Sequence, residues 1–259
     1  MLIDNDLSPV LEKANNDDLQ YLVDIITNAR TNSLDREALY KQYYPDHQKY
    51  VNLIADEIRA FGGNTFANVF RRGEGPAYKE IVCDVAAKLK APFNKGSNVE
   101  KIENSILETV LTQALEKMSE SEKQELFEEI ADVKNYLSLS GSARTLEFIT
   151  LFRMGGPRSY YLTLHVVNAI TKVVLGRTLG LIGGTTTIQI AKLATGPFAL
   201  ALSTAWTLYD IAGPATRVTV PAVIYIAMLR KKYDTPSCPN CSRMIAAGSK
   251  FCPECGTAI

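Results

Sequence analysis

Apolar residues in the first half of the chain recur every three to four positions, the period of a helix with one buried face. Leu19, Leu22, Val23 and Ile26 form such a stripe behind Asp17–Asp18, a pair able to cap the helix start. Val51, Ile54, Ala55 and Ile58 form a second, predicted from Asp46 to Phe61 with Gly62–Gly63 as its stop. Pro76 suits the first turn of a third, which carries Ile81, Val82, Val85 and Leu89 and ends before Pro92. A long helix beginning at Ser97 aligns Ile102, Ile106, Val110, Leu111 and Leu115. Ser119 and Ser121 then restart an acid-rich helix through Leu126, Phe127, Ile130 and Val133. No useful period-2 alternation interrupts these stripes, so the expected fold class is an all-α, multi-helix domain. The charge run from Glu120 to Asp132 reads as a solvated helix face, with a protein-docking surface as the other reading.

The pattern changes at Met154-Gly-Gly-Pro157. Between Glu147 and Asp210 the chain has no acid, and Arg153, Arg158, Lys172, Arg177 and Lys192 punctuate an otherwise apolar sequence. Uncharged runs cover 178–191, 193–209 and 218–229. Each falls short of the roughly 20 residues a spanning helix needs, and Pro197, Pro214 and Pro221 are expected to interrupt any longer span. Gly176, Gly180 and Gly184 sit four apart, a small-xxx-small pattern that allows close helix approach. With Trp206 they are the candidate helix-packing or membrane-contact residues. Three readings of this glycine-rich helical region stay open: a buried helical hairpin, an interfacial element on an anionic membrane surface, and a hidden element that inserts on activation. Arg230-Lys231-Lys232 ends the last apolar helix, where it complements the helix dipole and would also suit a membrane edge.

Charge sharpens this division. The 259 residues balance at net zero, yet residues 1–147 carry −8 and residues 148–259 carry +8. Four segments are expected: a short helical opening (1–30), an acidic helical domain (31–153), the basic apolar helical region (154–232) and a cysteine-bearing tail (233–259).

The tail holds the strongest chemical signal. Cys238-Pro-Asn-Cys241 and Cys252-Pro-Glu-Cys255 are two Cys-x-x-Cys turns, ten residues apart, each able to aim two thiolates at one ion. The spacing resembles the short zinc ribbons that end many bacterial proteins. Cys238, Cys241, Cys252 and Cys255 are therefore the expected ligands of one structural Zn2+ per chain. Disulfides are the weaker reading, because the opening MLIDNDLSPV has no secretory character and a cytosolic chain keeps its thiols reduced. A redox pair would need one motif at a helix start. Four thiolates leave no open coordination position for catalysis. Cys83 lies in an apolar helical register and reads as core.

Enzymatic chemistry is not expected. His47 follows Pro45–Asp46 at a helix start and is expected to face solvent; His165 lies in an apolar helix and reads as a hydrogen-bonded core residue. No phosphate loop or nucleophile elbow occurs. Asp56 and Glu57 are adjacent and point about 100° apart on a helix, so they cannot work as a carboxylate pair. Arg71–Arg72 reads as a solvated loop flank. Nucleic acid is a disfavoured partner, since Arg243 and Lys250 are balanced by Asp234 and Glu254, and a metal-loaded ribbon stands near −2.

Leu53-Ile-Ala-Asp-Glu-Ile-Arg-Ala-Phe-Gly-Gly-Asn64, followed by Ala67-Asn68, Tyr78 and 81–90, resembles the YaaW-like family of uncharacterised bacterial proteins. So do Arg217-Val-Thr-Val-Pro-Ala-Val-Ile224 and the opening from Asp4 to Thr27. The resemblance spans most of residues 4–232. It implies a ubiquinol–cytochrome c chaperone-like central domain, a client-binding or assembly role near membranes, and no catalytic residues. The ribbon departs from that pattern. The expected function is a non-enzymatic, chaperone-like interaction factor in the cytosol or at the inner-membrane face. It would act on a protein client or partner subunit, with oligomers open and the ribbon as adaptor. The alternatives are a latent membrane-perturbing effector in stress or phage defence and a nucleic-acid-binding zinc ribbon.

Overall fold

The computed structural model describes residues 4–63, 75–130, 141–175, 198, 200–201, 213 and 215–259. These are mostly helical. In chain order the helices are α1 (Ser8–Lys13), α2 (Asn16–Thr27), α3 (Ala38–Tyr43), α4 (Val51–Gly62), α5 (Tyr78–Lys88), α6 (Val99–Lys117), α7 (Glu120–Ile130), α8 (Ser142–Arg153), α9 (Gly156–Leu175) and α10 (Thr216–Asp234). The only β pairing among the described residues is two isolated bridges in the tail.

The apolar stripes read from the sequence are the buried faces. Leu19, Leu22, Val23 and Ile26 are buried on α2; Ile81, Val82 and Val85 on α5, with Leu89 just past its end; Ile102, Ile106, Val110, Leu111 and Leu115 on α6. Helix starts shift by a few residues, for identifiable reasons. The cap of α2 is Asn15, whose side chain accepts the Asp18 amide at 2.8 Å. Asp18, expected as the cap, is fully buried instead. Asn98 caps α6, and α5 begins at Tyr78 after Ala77. Ser119 does start α7, through a reciprocal capping box: its amide donates to Glu122 Oε2 at 2.6 Å and its hydroxyl accepts the Glu122 amide at 3.3 Å. The span expected from Asp46 is a 3-10 turn (His47–Tyr50) running into α4.

α10 lies at the centre. It packs against α1, α2, α4, α5, α6 and α9, and every residue from Val218 to Leu229 is buried. A helix apolar on all sides belongs in the interior of a large core, which accounts for the uncharged run at 218–229. Pro221 sits within this helix and does not end it, contrary to expectation. One ring in the second turn removes a single backbone donor, and the packing on every side holds the helix across it. A single hydrophobic core joins buried residues from Leu7 to Leu229, so the acidic first half and the basic second half pack into each other.

Both histidines are internal. His47, expected at the surface, is buried; its Nε2 lies 2.8 Å from Gln20 Oε1 and its Nδ1 contacts the Tyr50 hydroxyl. Burial lowers its pKa. His165 is buried in α9 against the Phe198 ring, and desolvation pushes its pKa down to about 3. The unfolded imidazole takes its proton near 6.5. Stability supplied by neutral His165 is therefore complete above pH 6.5 and is lost as pH falls toward 3, by up to about 1.4 kcal/mol per pH unit. Urea unfolding at pH 7, 5.5 and 4.5 checks this: the wild type weakens steadily, and His165→Leu shows a flatter decline.

Candidate metal centre

The last 22 or so residues are too few to bury a core of their own; Met244 packs against the main core, and a second cluster is local to the tail. Cys238, Ile245 and Cys252 form a small cluster apart from the main core, with Cys241 packed against it. The two turns repeat one backbone design. Cys238 N donates to Arg243 O at 2.8 Å, and Cys252 N donates to Thr257 O at 2.8 Å. Ser242 N donates to Cys238 O at 2.9 Å, and Gly256 N donates to Cys252 O at 2.9 Å. Isolated antiparallel bridges, Ser237–Met244 and Phe251–Ala258, close each turn. The amides of Arg243 and Thr257 hydrogen-bond Cys241 and Cys255. Cys255 Sγ also lies 3.2 Å from the Thr257 hydroxyl oxygen.

The residue after each turn takes a left-handed backbone: Ser242 at φ 56° and Gly256 at φ 72°. Glycine adopts this without steric cost, and an L side chain does not. Ser242→Gly is therefore expected to stabilise the ribbon by about 1 kcal/mol. Competition against a graded zinc chelator checks it: the variant should retain metal at several-fold higher chelator.

All four sulfurs lie within 4.8 Å of one another. Cys238 Sγ is 3.6 Å from Cys255 Sγ, and Cys241 Sγ is 3.6 Å from Cys252 Sγ. Sulfurs placed about 2.3 Å from a central zinc would stand about 3.8 Å apart along a tetrahedral edge, so the observed spacing fits. A disulfide would need about 2.05 Å, and all the cysteines are free. The fold thus brings together the four cysteines singled out from the sequence.

Two of the three basic residues before the ribbon, Arg230 and Lys232, are paired with acids of the first half of the chain. Arg230 Nε pairs with buried Glu103 Oε2 at 2.8 Å, and its Nη2 donates to Asp6 O at 2.9 Å. Tyr78 donates its hydroxyl to the same Glu103 at 2.8 Å. Burial raises the Glu103 carboxyl, against the pull of Arg230. Lys232 Nζ donates to both Asp18 oxygens at 2.7 Å, and the Tyr233 hydroxyl also binds Asp18. Lys231 Nζ sits 4.6 Å above the Phe152 ring. Glu103 was not singled out from the sequence, and Asp18 was read there only as a helix cap.

Other sequence-level candidates scatter. Glu57 is held by the Ser33 amide and hydroxyl, each at 2.6 Å, while Asp56 faces Arg59 at 3.6 Å, so the two carboxylates work separately. Cys83 is a buried thiol whose pKa burial raises. Gly176, Gly180, Gly184, Trp206 and Arg71–Arg72 lie outside the described residues. Among the described residues, no helix is long and apolar enough to cross a membrane.

A zinc-ribbon domain model matches residues 237–259. The chain is 42% identical over 193 residues to a UPF0174 protein of Helicobacter pylori strain J99, covering 74% of this chain and 76% of that one. It is 37% identical over 196 residues to a UPF0174 protein of H. pylori strain ATCC 700392 / 26695, covering 74% and 93%. It is 32% identical over 205 residues to the UPF0174 protein YaaW of Escherichia coli K12, covering 76% and 79%. No solved structure matches.

Proposed function

The chain belongs to the UPF0174 family, and from that premise we propose that it is a non-enzymatic interaction factor whose zinc ribbon is a protein-docking adaptor. The ribbon holds one structural zinc per chain. The observation that carries this reading is a closed set of four thiols directly beside exposed apolar side chains. Four sulfurs saturate a tetrahedral ion and leave no place for substrate. On the same module Phe251 is 64% exposed and Ile259 50% exposed. A metal that only holds shape, beneath apolar residues facing solvent, suits recognition of another protein.

The internal pairing of Arg230 and Lys232 supports a protein partner over a polyanion. Their charge is committed to Glu103 and Asp18, and the loaded ribbon adds net negative charge, so little remains to neutralise phosphates. The partner is read as a client protein or partner subunit in the cytosol or at the inner-membrane face. Co-purification from native cells tests this with three chains: wild type, Phe251→Ser and Cys252→Ser. A protein recovered with the wild type and lost from both variants, while Phe251→Ser keeps its zinc, is the expected result. Partners indifferent to both changes, or salt-sensitive retention of nucleic acid in their place, contradict the proposal.

A further inference from the structure

Where α9 begins, a cleft of about 170 Å³ opens between it, the start of α6 and the end of α10. Gly155 (φ 73°) and Gly156 (φ 67°) carry the chain from α8 into α9 through left-handed backbone, which an L side chain would resist. The first turn of α9 contains no acid. Pro157 offers no amide, so the donors of this turn without an intrahelical acceptor are those of Gly156 and Arg158, which set partial positive charge at the helix start.

Ser159 lines the same cleft. It is 1% exposed, and its hydroxyl has no hydrogen-bond partner among the described residues. Native folds rarely leave a buried hydroxyl so, and this one stands in the first turn of a helix whose amides are also waiting for an acceptor. Lys231 is another lining residue. Its neighbours Arg230 and Lys232 are engaged by Glu103 and Asp18, whereas its ammonium rests above Phe152, three residues before Gly155. Burial lowers the Lys231 pKa, against the pull of the nearby Glu100 and Glu103 carboxylates. Asn104 adds an amide to the wall.

The remaining charges set the ligand's valence. Glu103 is spent on Arg230, and Asp234 pairs with Lys13 at 3.6 Å. Glu100 and Asp234 also line the cleft and oppose any anion there, which restricts the site to a single negative charge held by the donors opposite them. We propose that this cleft binds a single carboxylate group, accepted by the α9 amides, the Ser159 hydroxyl and the Lys231 ammonium. The site goes beyond the ribbon's docking role and stands on separate residues. Its ligand is either a small free carboxylate or the C-terminal carboxylate of a peptide.

The test is NMR titration of the full-length, zinc-loaded, 15N-labelled protein at constant ionic strength. The probes are acetate, N-acetyl-glycylglycine, its C-terminal amide, and inorganic phosphate. Saturable shifts of the Gly156 and Ser159 amides are expected with both carboxylates, and none with the amide. Ser159→Ala and Lys231→Met should each weaken acetate at least five-fold without altering distant resonances. A peptide acid binding ten-fold tighter than acetate assigns a chain terminus; equal binding assigns a small free carboxylate. The proposal is overturned by absence of saturable shifts with either carboxylate. Unchanged acetate binding in both variants, or phosphate binding more tightly than acetate, overturns it equally.

Discussion

Replacing Cys252 with serine is expected to empty the zinc site and unfold the ribbon while the helical body stays intact. Cys252 is buried in the small cluster with Cys238 and Ile245 and supplies one of four converging thiols. The ribbon has no other substantial core. Structural zinc contributes on the order of 10–16 kcal/mol of binding free energy in peptides of this kind, most of it expressed as folding. Losing one ligand of four therefore removes far more than the segment can spare. Zinc content should fall from about one per chain toward zero. Limited trypsin digestion should then cut rapidly at Arg243 and Lys250, sites the wild type protects, and far-ultraviolet circular dichroism should hardly change. A ribbon that stays protease-resistant without metal would contradict a zinc-dependent fold.

The second large effect is expected at Glu103. Its carboxylate is 2% exposed and satisfies Arg230 and the Tyr78 hydroxyl together. Glu103→Ala strands a guanidinium and a phenol in the interior, and breaking a buried pair from one side costs about 3–5 kcal/mol. That is a large share of the roughly 5–15 kcal/mol by which a domain is stable. Glu103→Gln keeps an acceptor and should cost clearly less. The pair itself need not be net stabilising: burial raises the Glu103 carboxyl even with Arg230 in place. The double variant Glu103→Leu with Arg230→Met is accordingly expected to recover most of the loss. Urea unfolding of the four chains measures this. A double variant as unstable as Glu103→Ala would mean that the arginine's reach to Asp6 O, not the ion pair, holds α10 in register.

The helical stripes and the four-cysteine cluster were legible in the sequence because both are local patterns. Spacing of three and four finds a buried face, and two Cys-x-x-Cys turns find a tetrahedron. What escaped notice depends on partners distant in sequence. The +8 of the second half and the −8 of the first divided the chain into an acidic and a basic part; in the fold the two are joined, since Arg230 reaches Glu103 and Lys232 reaches Asp18. A signal for this did exist. Glu103 stands four residues after Val99 and three before Ile106, and Asp18 stands four before Leu22, so both carboxylates lie on apolar helix faces. A charge placed there demands a buried counter-charge, and a basic cluster ending an apolar helix could supply it. His47 misled for a similar reason. Its place beside Pro45–Asp46 is a surface-like local context, yet Gln20 of α2 closes over it, with Tyr50 of its own turn on the other ring nitrogen. Pro221 shows the converse, a local breaker overruled by packing on every side of α10.

The four-cysteine cluster is the firmest point of contact between sequence and fold, and zinc K-edge X-ray absorption with metal analysis on freshly reduced protein tests its proposed metal most directly. One zinc per chain, bound by four sulfurs at about 2.3 Å, is the expected result. A stoichiometry near zero, or nitrogen or oxygen in the first coordination sphere, would contradict a closed four-thiolate centre and with it the reading of the ribbon as a structural adaptor.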